Sequence, residues 1–219
     1  MNYEIIGVTV LWTFLYGYII VASIDFGAGF FNFYSKLTGD DNVISPIIQR
    51  YLSPVWEVTN VFFVFFFVGI VGFYPDTAYY YGTTLLIPGS IALILLAIRG
   101  SYYAFNSYNK EPKLSWTFLY GGTGLLIPAS LSMALVISEG GYIVEEGDGI
   151  QLQLEELLFS TYGWSVVFLA IITVLYVSSG FLTFYAARAQ DSQALHLVRR
   201  WFLIWTLPML FISQFVFLG

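Results

Sequence analysis

Long apolar stretches restrict what this sequence can fold into more than any other feature. A helix that crosses the hydrocarbon core of a bilayer needs about 20 consecutive, mostly apolar residues. Six stretches meet this requirement, at 5–34, 54–74, 80–105, 116–137, 161–187 and 197–218. We therefore predict an all-α polytopic transmembrane helical bundle with about six spans, organised as a single transmembrane domain over residues 1–219.

The composition agrees with a lipid environment and limits the cofactors that the chain can hold. Hydrophobic residues make up 58% of the chain and charged residues 10%, whereas soluble domains have roughly 25% charged residues. The sequence has no cysteine and one histidine, His196, which is too isolated for a metal site. With one histidine, three methionines and no cysteine, the chain is poor in the side chains that most often hold haem iron, and we expect it to bind no metal or cofactor of its own.

Charged residues outside the apolar stretches predict an orientation in the membrane. Short loops rich in Lys and Arg stay in the cytoplasm. The basic residues fall in alternate connections: Lys36, Arg50, Lys110, Lys113, Arg188, Arg199 and Arg200. The other connections hold acidic residues, most of them in the segment 138–160. We therefore expect both termini to lie outside, with 138–160 as an acidic external loop.

Three ionisable residues, Asp25, Glu57 and Arg99, fall inside or near the hydrocarbon. Charges at such depth cost at least ~2.5–3.5 kcal/mol each and usually face a bundle interior or a water path. Asp25 lies nine residues before the end of the first stretch, about 14 Å at a helical rise of 1.5 Å, and Arg99 lies seven residues before Asn106, about 10 Å. Glu57 lies at the start of the second stretch. The three charges therefore converge on the cytoplasmic third of the membrane.

These residues also have simpler interpretations. Ser53 and Pro54 resemble a helix N-cap followed by proline at the first helical position, so Glu57 is then an acid of the first turn. Asp25 and Arg99 can form a purely structural ion pair. Gly27 and Gly29 can serve to let two helices approach closely.

Several short motifs occur in a fixed order along the first four stretches. They are Asp25-Phe26-Gly27-Ala28-Gly29, Pro54-Val55-Trp56-Glu57 with Asn60, Arg99-Gly100-Ser101-Tyr102-Tyr103, and Trp116 with Gly121, Gly122 and Pro128. In order and spacing they resemble subunit II of the cytochrome bd quinol oxidases. That subunit usually has eight or nine helices, and Ser23-Ile24 and Thr59 depart from its pattern, so the resemblance predicts a shortened or divergent member.

The resemblance implies a division of labour between two subunits. In this family subunit I carries the haems b and d and oxidises quinol, and subunit II binds no haem but helps to form a proton path from the cytoplasm. Glu57 would be the entry carboxylate, Asp25 a deeper relay and Arg99 the cation that tunes both. Gly27, Gly29, Trp56 and Asn60 would support the path by packing and polar contacts.

We therefore expect the haem-free subunit of a bd-type quinol:dioxygen oxidoreductase, a multi-pass protein of a prokaryotic plasma membrane. The chain alone is then not catalytic. Its expected partners are the haem-bearing subunit I, further small membrane subunits and the lipid bilayer, with a structural quinone or lipid possible and no nucleic acid. Two alternatives remain open: a small proton-coupled transporter, favoured by the buried charges and by the similarity of 82–90 to 122–130, and a membrane scaffold or assembly subunit.

Overall fold

The chain is mostly helical, as expected where backbone groups in lipid must find their partners within the same segment. The computed structural model describes residues 3–106, 113–139, 141–146 and 149–218, with the backbone alone at 51–57, 103, 106, 145, 146, 149, 150 and 218. These residues form α1 (Tyr3–Thr38), α2 (Asp41–Phe73), α3 (Pro75–Thr84), α4 (Leu86–Asn106), α5 (Leu114–Glu139), β1 (Ile143–Glu146), β2 (Gly149–Leu152), α6 (Leu154–Phe159), α7 (Thr161–Arg188) and α8 (Ser192–Leu218).

The prediction of an all-α polytopic membrane bundle is confirmed. Within the described residues, α1, α5, α7 and α8 are each long and apolar enough to cross a membrane. The segment Val58–Phe73 of α2 reaches the length of a fifth span only when it is taken together with α3, and the pair is bent by 120°, as in a broken span or a re-entrant loop. The apolar part of α4, Leu86–Tyr102, is shorter.

The third predicted stretch, 80–105, does not form one helix. Its first residues belong to α3, and Leu85 separates them from α4. The break before α3 lies at Tyr74, which has φ −133° and ψ 62°, and Pro75 then takes the first helical position. A residue before proline is disfavoured in the α conformation, and proline suits the start of a helix. This local chemistry explains the bend, which apolar length alone could not indicate.

The second helix begins at Asp41 and not at Pro54, so the interpretation of Ser53 and Pro54 as a helix start is wrong. Glu57 lies sixteen residues after Asp41 and is no first-turn acid. A proline inside a helix loses one backbone hydrogen bond. The segment before Pro54 nevertheless remains helical, because Ile44 and Ile48 are buried in the core and their burial offsets that loss.

The acidic segment 138–160 has more structure than the loop that we expected. Strands β1 and β2 pair antiparallel, with Ile143 opposite Leu152. Leu157 of α6 packs in one cluster with Val136 and Ile137, near the end of α5. The hairpin and α6 thus lie against the end of α5.

Helix α1 lies at the centre of the bundle and contacts α2, α5 and α7. It runs antiparallel to α2, because Tyr74 donates to the Glu4 carbonyl at 2.7 Å, while Ser45 donates to Asn32 at 2.8 Å near the other end. Gly27 faces Ser178 of the parallel helix α7. The central position of α1 brings its polar residues next to three other helices.

Helices α7 and α8 form an antiparallel pair at the side of α1. The Thr173 hydroxyl lies 3.5 Å from the Met209 sulfur, and the rings of Tyr176 and Phe202 stack with centroids 5.0 Å apart. The rings of Phe31 and Tyr34, in the last part of α1, contact Trp201 in the first part of α8, so the start of α1 and the end of α8 lie towards the same end of the bundle. This arrangement agrees with the prediction that both termini lie on one side of the membrane.

Candidate functional site

Asp25 of α1 and Arg99 of α4 form a buried ion pair. Their exposed fractions are 2% and 0%. The Arg99 Nε donates to Asp25 Oδ2 at 3.0 Å, and Arg99 Nη2 lies 3.0 Å from the same oxygen. Two of the three charges that the sequence places in the membrane therefore meet, although they are separated by 74 residues.

The guanidinium of Arg99 is held by more than its counter-charge. Nη1 donates to the Tyr120 carbonyl at 2.7 Å, and Nη2 donates to the Asp25 carbonyl at 2.7 Å. The guanidinium carbon also lies 3.9 Å from the centre of the Tyr120 ring and 5.2 Å from that of Phe26. Hydrogen bonds and cation–π contacts together offset the loss of hydration that burial of an arginine requires. Arg99 thereby joins α1, α4 and α5.

Glycines provide the space that this arrangement needs. A Cβ on Gly29 would lie 3.0 Å from Arg99 Nη1, and a Cβ on Gly124 of α5 would lie 2.3 Å from the Phe26 carbonyl oxygen. On the other side of α1, a Cβ on Gly27 would lie 2.4 Å from the Ser178 Cβ. Both motif glycines of α1 therefore face close neighbours, and a side chain at Gly29 would press against the ion pair.

Tyr120 is the residue of this site that the sequence analysis missed. Its hydroxyl donates to Asp25 Oδ1 at 3.2 Å, its carbonyl accepts from Arg99, and its ring lies under the guanidinium. The ring also stacks on Tyr102 with centroids 4.3 Å apart and an interplanar angle of 16°. One signal was available, because Tyr120 precedes the adjacent glycines Gly121 and Gly122 in an otherwise apolar span.

The remaining predicted site residues belong to α2. Trp56 and Glu57 lie where the structure describes the backbone alone, so the positions of their side chains fall outside the described residues. Asn60 lies one turn further on, is half-buried and has a polar or ring partner. The described contacts therefore bring Asp25 and Arg99 together, and the side chain of Glu57 lies outside the described residues.

Tyr18 lies on the same face of α1, two turns before Asp25. It is 3% exposed, and its ring packs on Phe63 of α2 with centroids 4.8 Å apart. Its hydroxyl has no hydrogen-bond partner among the residues that the structure describes. The polar contacts of this face are thus concentrated around Asp25 and do not include Tyr18.

The described residues contain no group of three or more His, Cys, Asp or Glu side chains that could hold a metal ion. His196 is exposed near the start of α8. The polar centre of the described bundle is the cluster of Asp25, Arg99 and Tyr120.

Comparisons with known proteins agree in assigning a family. The model of the family described as cytochrome bd terminal oxidase subunit II matches residues 3–218. A protein of Bacillus subtilis (strain 168), provisionally named a cytochrome bd menaquinol oxidase subunit II, is 37% identical over 197 residues, which are 90% of this chain and 56% of that protein. A chain in the structure of bd oxidase from Geobacillus thermodenitrificans is 57% identical with a TM-score of 0.79, and the match covers 99% of this chain and 66% of that chain. The chain thus spans between about half and two thirds of the length of these relatives.

Proposed function

Since the chain belongs to the cytochrome bd terminal oxidase subunit II family, we propose that it is the haem-free subunit of a bd-type quinol:dioxygen oxidoreductase. It stabilises the haem-bearing subunit I in the plasma membrane of a prokaryote and contributes a proton-entry path from the cytoplasm. The chain alone is not catalytic. The name of the Bacillus relative favours a menaquinol as the electron donor of the complex.

The proposal that this chain binds no haem is supported by its small number of histidine, methionine and cysteine side chains, which could ligate haem iron. The sequence offers one histidine, three methionines and no cysteine. A subunit of an oxidase with so few ligands depends on a partner for its redox groups. We assign the haems b and d to subunit I, and we include further small membrane subunits as partners. A quinone or lipid can fill space between the subunits without taking part in the reaction.

The observation that carries the proton path is the buried cluster of Asp25, Arg99 and Tyr120. Intramembrane charges of this kind are costly and mark ion or proton pathways by default. Arg99 lies seven residues before the end of α4 at Asn106, and Asp25 lies thirteen residues before the end of α1 at Thr38. Both of these helix ends belong to the predicted cytoplasmic side. We therefore assign Asp25 as the relay and Arg99 as the cation that sets its charge.

The packing of α1 on α2 supports Glu57 as the second carboxylate of the proposed path, because it brings the backbone of Glu57 near the level of Asp25. Leu11 lies against Gly69, Tyr18 against Phe63, and Asn32 bonds to Ser45. In this antiparallel register the paired residue numbers sum to about 77–81. Interpolated to Asp25, the register pairs it with positions at about 52–56 of α2, within about one and a half turns of Glu57. Trp56 and Asn60 flank Glu57 on the same segment as supporting residues.

A scaffold role is the second candidate, and one observation favours it. Arg99 is anchored to α1 and α5 by bonds of 2.7 Å to two backbone carbonyls, which a proton relay does not require. In that case the ion pair holds three helices together for the partner, and neutralising Glu57 leaves turnover unchanged. The two roles thus differ in one measurable property of the assembled complex.

Purification of the chain in mild detergent, followed by an optical spectrum, tests the assignment to an oxidase. We expect a larger subunit to co-purify with absorption bands of haems b and d, and the preparation to show quinol-dependent oxygen uptake. A colourless chain, alone or as a homo-oligomer, would contradict the assignment and favour the proton-coupled transporter.

The exchange Glu57→Gln in that complex tests the proton path. We expect turnover to fall roughly tenfold or more, an increase in the barrier of about 1.4 kcal/mol or more, with the haem spectrum retained. The matched control is Asp76→Asn, an exposed acid in the first turn of α3, which we expect to leave turnover unchanged. Equal turnover of the two variants would favour the scaffold role.

A further inference from the structure

The two oxygens of the Asp25 carboxylate have different surroundings. Oδ2 faces the Nε and Nη2 of Arg99, both at 3.0 Å. Arginine stays protonated in proteins and has no acceptor, so protonation at Oδ2 would place a proton against two N–H groups. Oδ1 instead accepts from the neutral hydroxyl of Tyr120 at 3.2 Å. Oδ1 is therefore the oxygen at which Asp25 can take up a proton at the lower cost.

A tyrosine hydroxyl is both a donor and an acceptor, so it can bond to Asp25 in either charge state. With the carboxylate it donates, as observed, and with the carboxylic acid it accepts. The Tyr120 ring is fixed between the Arg99 guanidinium at 3.9 Å and the Tyr102 ring at 4.3 Å. The oxygen of Tyr120 thus stays beside Oδ1 while its hydrogen is free to change partners.

We propose that Tyr120 is a direct proton-exchange partner of Asp25, by exchange between the Tyr120 hydroxyl and Asp25 Oδ1. This inference rests on the proposed proton path and adds a member to it. In the uptake step the O–H bond of Tyr120 breaks and an Oδ1–H bond forms. The electron pair of the broken bond stays on the phenol oxygen, which takes a proton from the next donor. Loss of the proton follows the same steps in reverse.

Polar side chains on the predicted cytoplasmic side of Tyr120 can supply that proton. Thr117 is fully buried on α5, three residues closer to the predicted cytoplasmic end than Tyr120. The side chain of Tyr102 lies near that of Thr117, and its ring stacks on Tyr120. These contacts place hydroxyl groups of α4 and α5 next to the exchange pair, as a branch of the path additional to that through Glu57 of α2.

The exchange Tyr120→Phe in the purified oxidase complex tests the inference. It retains the ring that packs on Arg99 and the carbonyl that accepts from it, and it removes the hydroxyl alone. We expect a retained haem spectrum, a kcat lower by about tenfold or more, as loss of an acid–base group typically causes, and an unchanged KM for quinol. The matched control is Tyr176→Phe, a tyrosine of α7 that stacks on Phe202 outside the cluster, with turnover expected at the full rate.

The turnover of the variant Asp25→Asn shows whether a negative result concerns Tyr120 alone or the whole proposed path. If Asp25→Asn lowers turnover and Tyr120→Phe does not, Tyr120 is not the exchange partner, and the proposed path stands. If Asp25→Asn turns over at the full rate, the path itself is wrong.

A second substitution tests the inference if the Tyr120→Phe complex fails to assemble. Difluorotyrosine placed at Tyr120 retains the ring and the hydroxyl but makes the phenol more acidic. We expect the pH profile of kcat to shift towards lower pH in this complex. An unchanged profile would overturn the inference.

Discussion

The two halves of α1 have opposite surroundings, although both belong to one helix. In the second half, from Ala22 to Ser35, the buried residues are mostly small or polar: Ala22, Ser23, Asp25, Gly27, Ala28, Gly29, Asn32 and Ser35. In the first half, from Tyr3 to Ile20, most large apolar residues are exposed: Tyr3, Ile5, Ile6, Val8, Val10, Trp12, Tyr16, Ile19 and Ile20. Within this helix, hydrophobicity does not decide which half is buried.

This difference between the two halves of α1 follows from the lipid that surrounds the bundle. Lipid tails are as apolar as leucine, so burial of an apolar side chain between helices gains little over its exposure to lipid. Small residues permit close approach, and polar residues gain partners that lipid cannot provide. The second half of α1 therefore packs against α5 and α7, and the first half presents apolar side chains outward. The predictions below test this contrast.

The largest effect is expected at the ion pair of the second half. Arg99→Leu leaves the Asp25 carboxylate buried without its counter-charge, and breaking a buried pair in this way costs about 3–5 kcal/mol. We expect that loss in the free energy of unfolding of the purified chain, measured by SDS titration in mild detergent. The double variant Arg99→Leu with Asp25→Leu should recover much of it. An equal loss in the single and double variants would show that the charge of Asp25 is not the cause.

A smaller loss is expected where α5 touches α1. Gly124→Ala places a Cβ 2.3 Å from the Phe26 carbonyl, and overpacking of this kind typically costs about 1–3 kcal/mol. Gly122→Ala is the matched control, since a Cβ there meets nothing within 4 Å. The same titration should separate the two variants, and equal stabilities would contradict the close approach of the helices.

Tyr18 lies near the boundary between the two halves of α1, and removal of its hydroxyl group should not destabilise the chain. The buried hydroxyl has no partner among the described residues, and an unsatisfied buried polar group costs about 1–3 kcal/mol. We expect Tyr18→Phe to leave the free energy of unfolding unchanged or to raise it by up to about 1 kcal/mol. A clear loss of stability would reveal a partner for this hydroxyl, such as bound water.

The smallest effect is expected in the first half of α1. Ile19 is 47% exposed, and Ile19→Ala should change the free energy of unfolding by no more than about 0.5 kcal/mol. Gly124→Ala serves as the comparison within the same series. A loss at Ile19 as large as that at Gly124 would show that the first half of α1 is packed as tightly as the second.

Much of the bundle could be predicted from the sequence because apolar length and charged loops report directly on the membrane. The helices α1, α5, α7 and α8 follow the predicted stretches closely. The start of α2 was missed because a proline favours a helix start locally. Ile44 and Ile48, which precede Pro54, are buried against residues distant in the sequence, and this packing overrides the local preference. The hairpin within 138–160 likewise depends on residues distant in the sequence, because Ile143 and Leu152 pack with the end of α5.

The site was partly predictable for a related reason. A charge in lipid is conspicuous in any sequence, so Asp25 and Arg99 could be identified one by one and expected at similar depth. Tyr120 could not be identified in this way, because tyrosine is common in membrane helices and this chain has 17 of them. Its contribution comes from three contacts with the ion pair, which require the packing of α5 on α1 and α4.

The proposed role of Asp25 in proton transfer is tested most directly by the turnover of the oxidase complex that carries Asp25→Asn. The amide retains the shape of the side chain and removes its negative charge and its capacity to carry a proton. We expect a complex with full haem content whose quinol-dependent oxygen consumption is roughly tenfold slower or more. Full haem content with full turnover would contradict this role, and would leave the ion pair as a structural contact between helices.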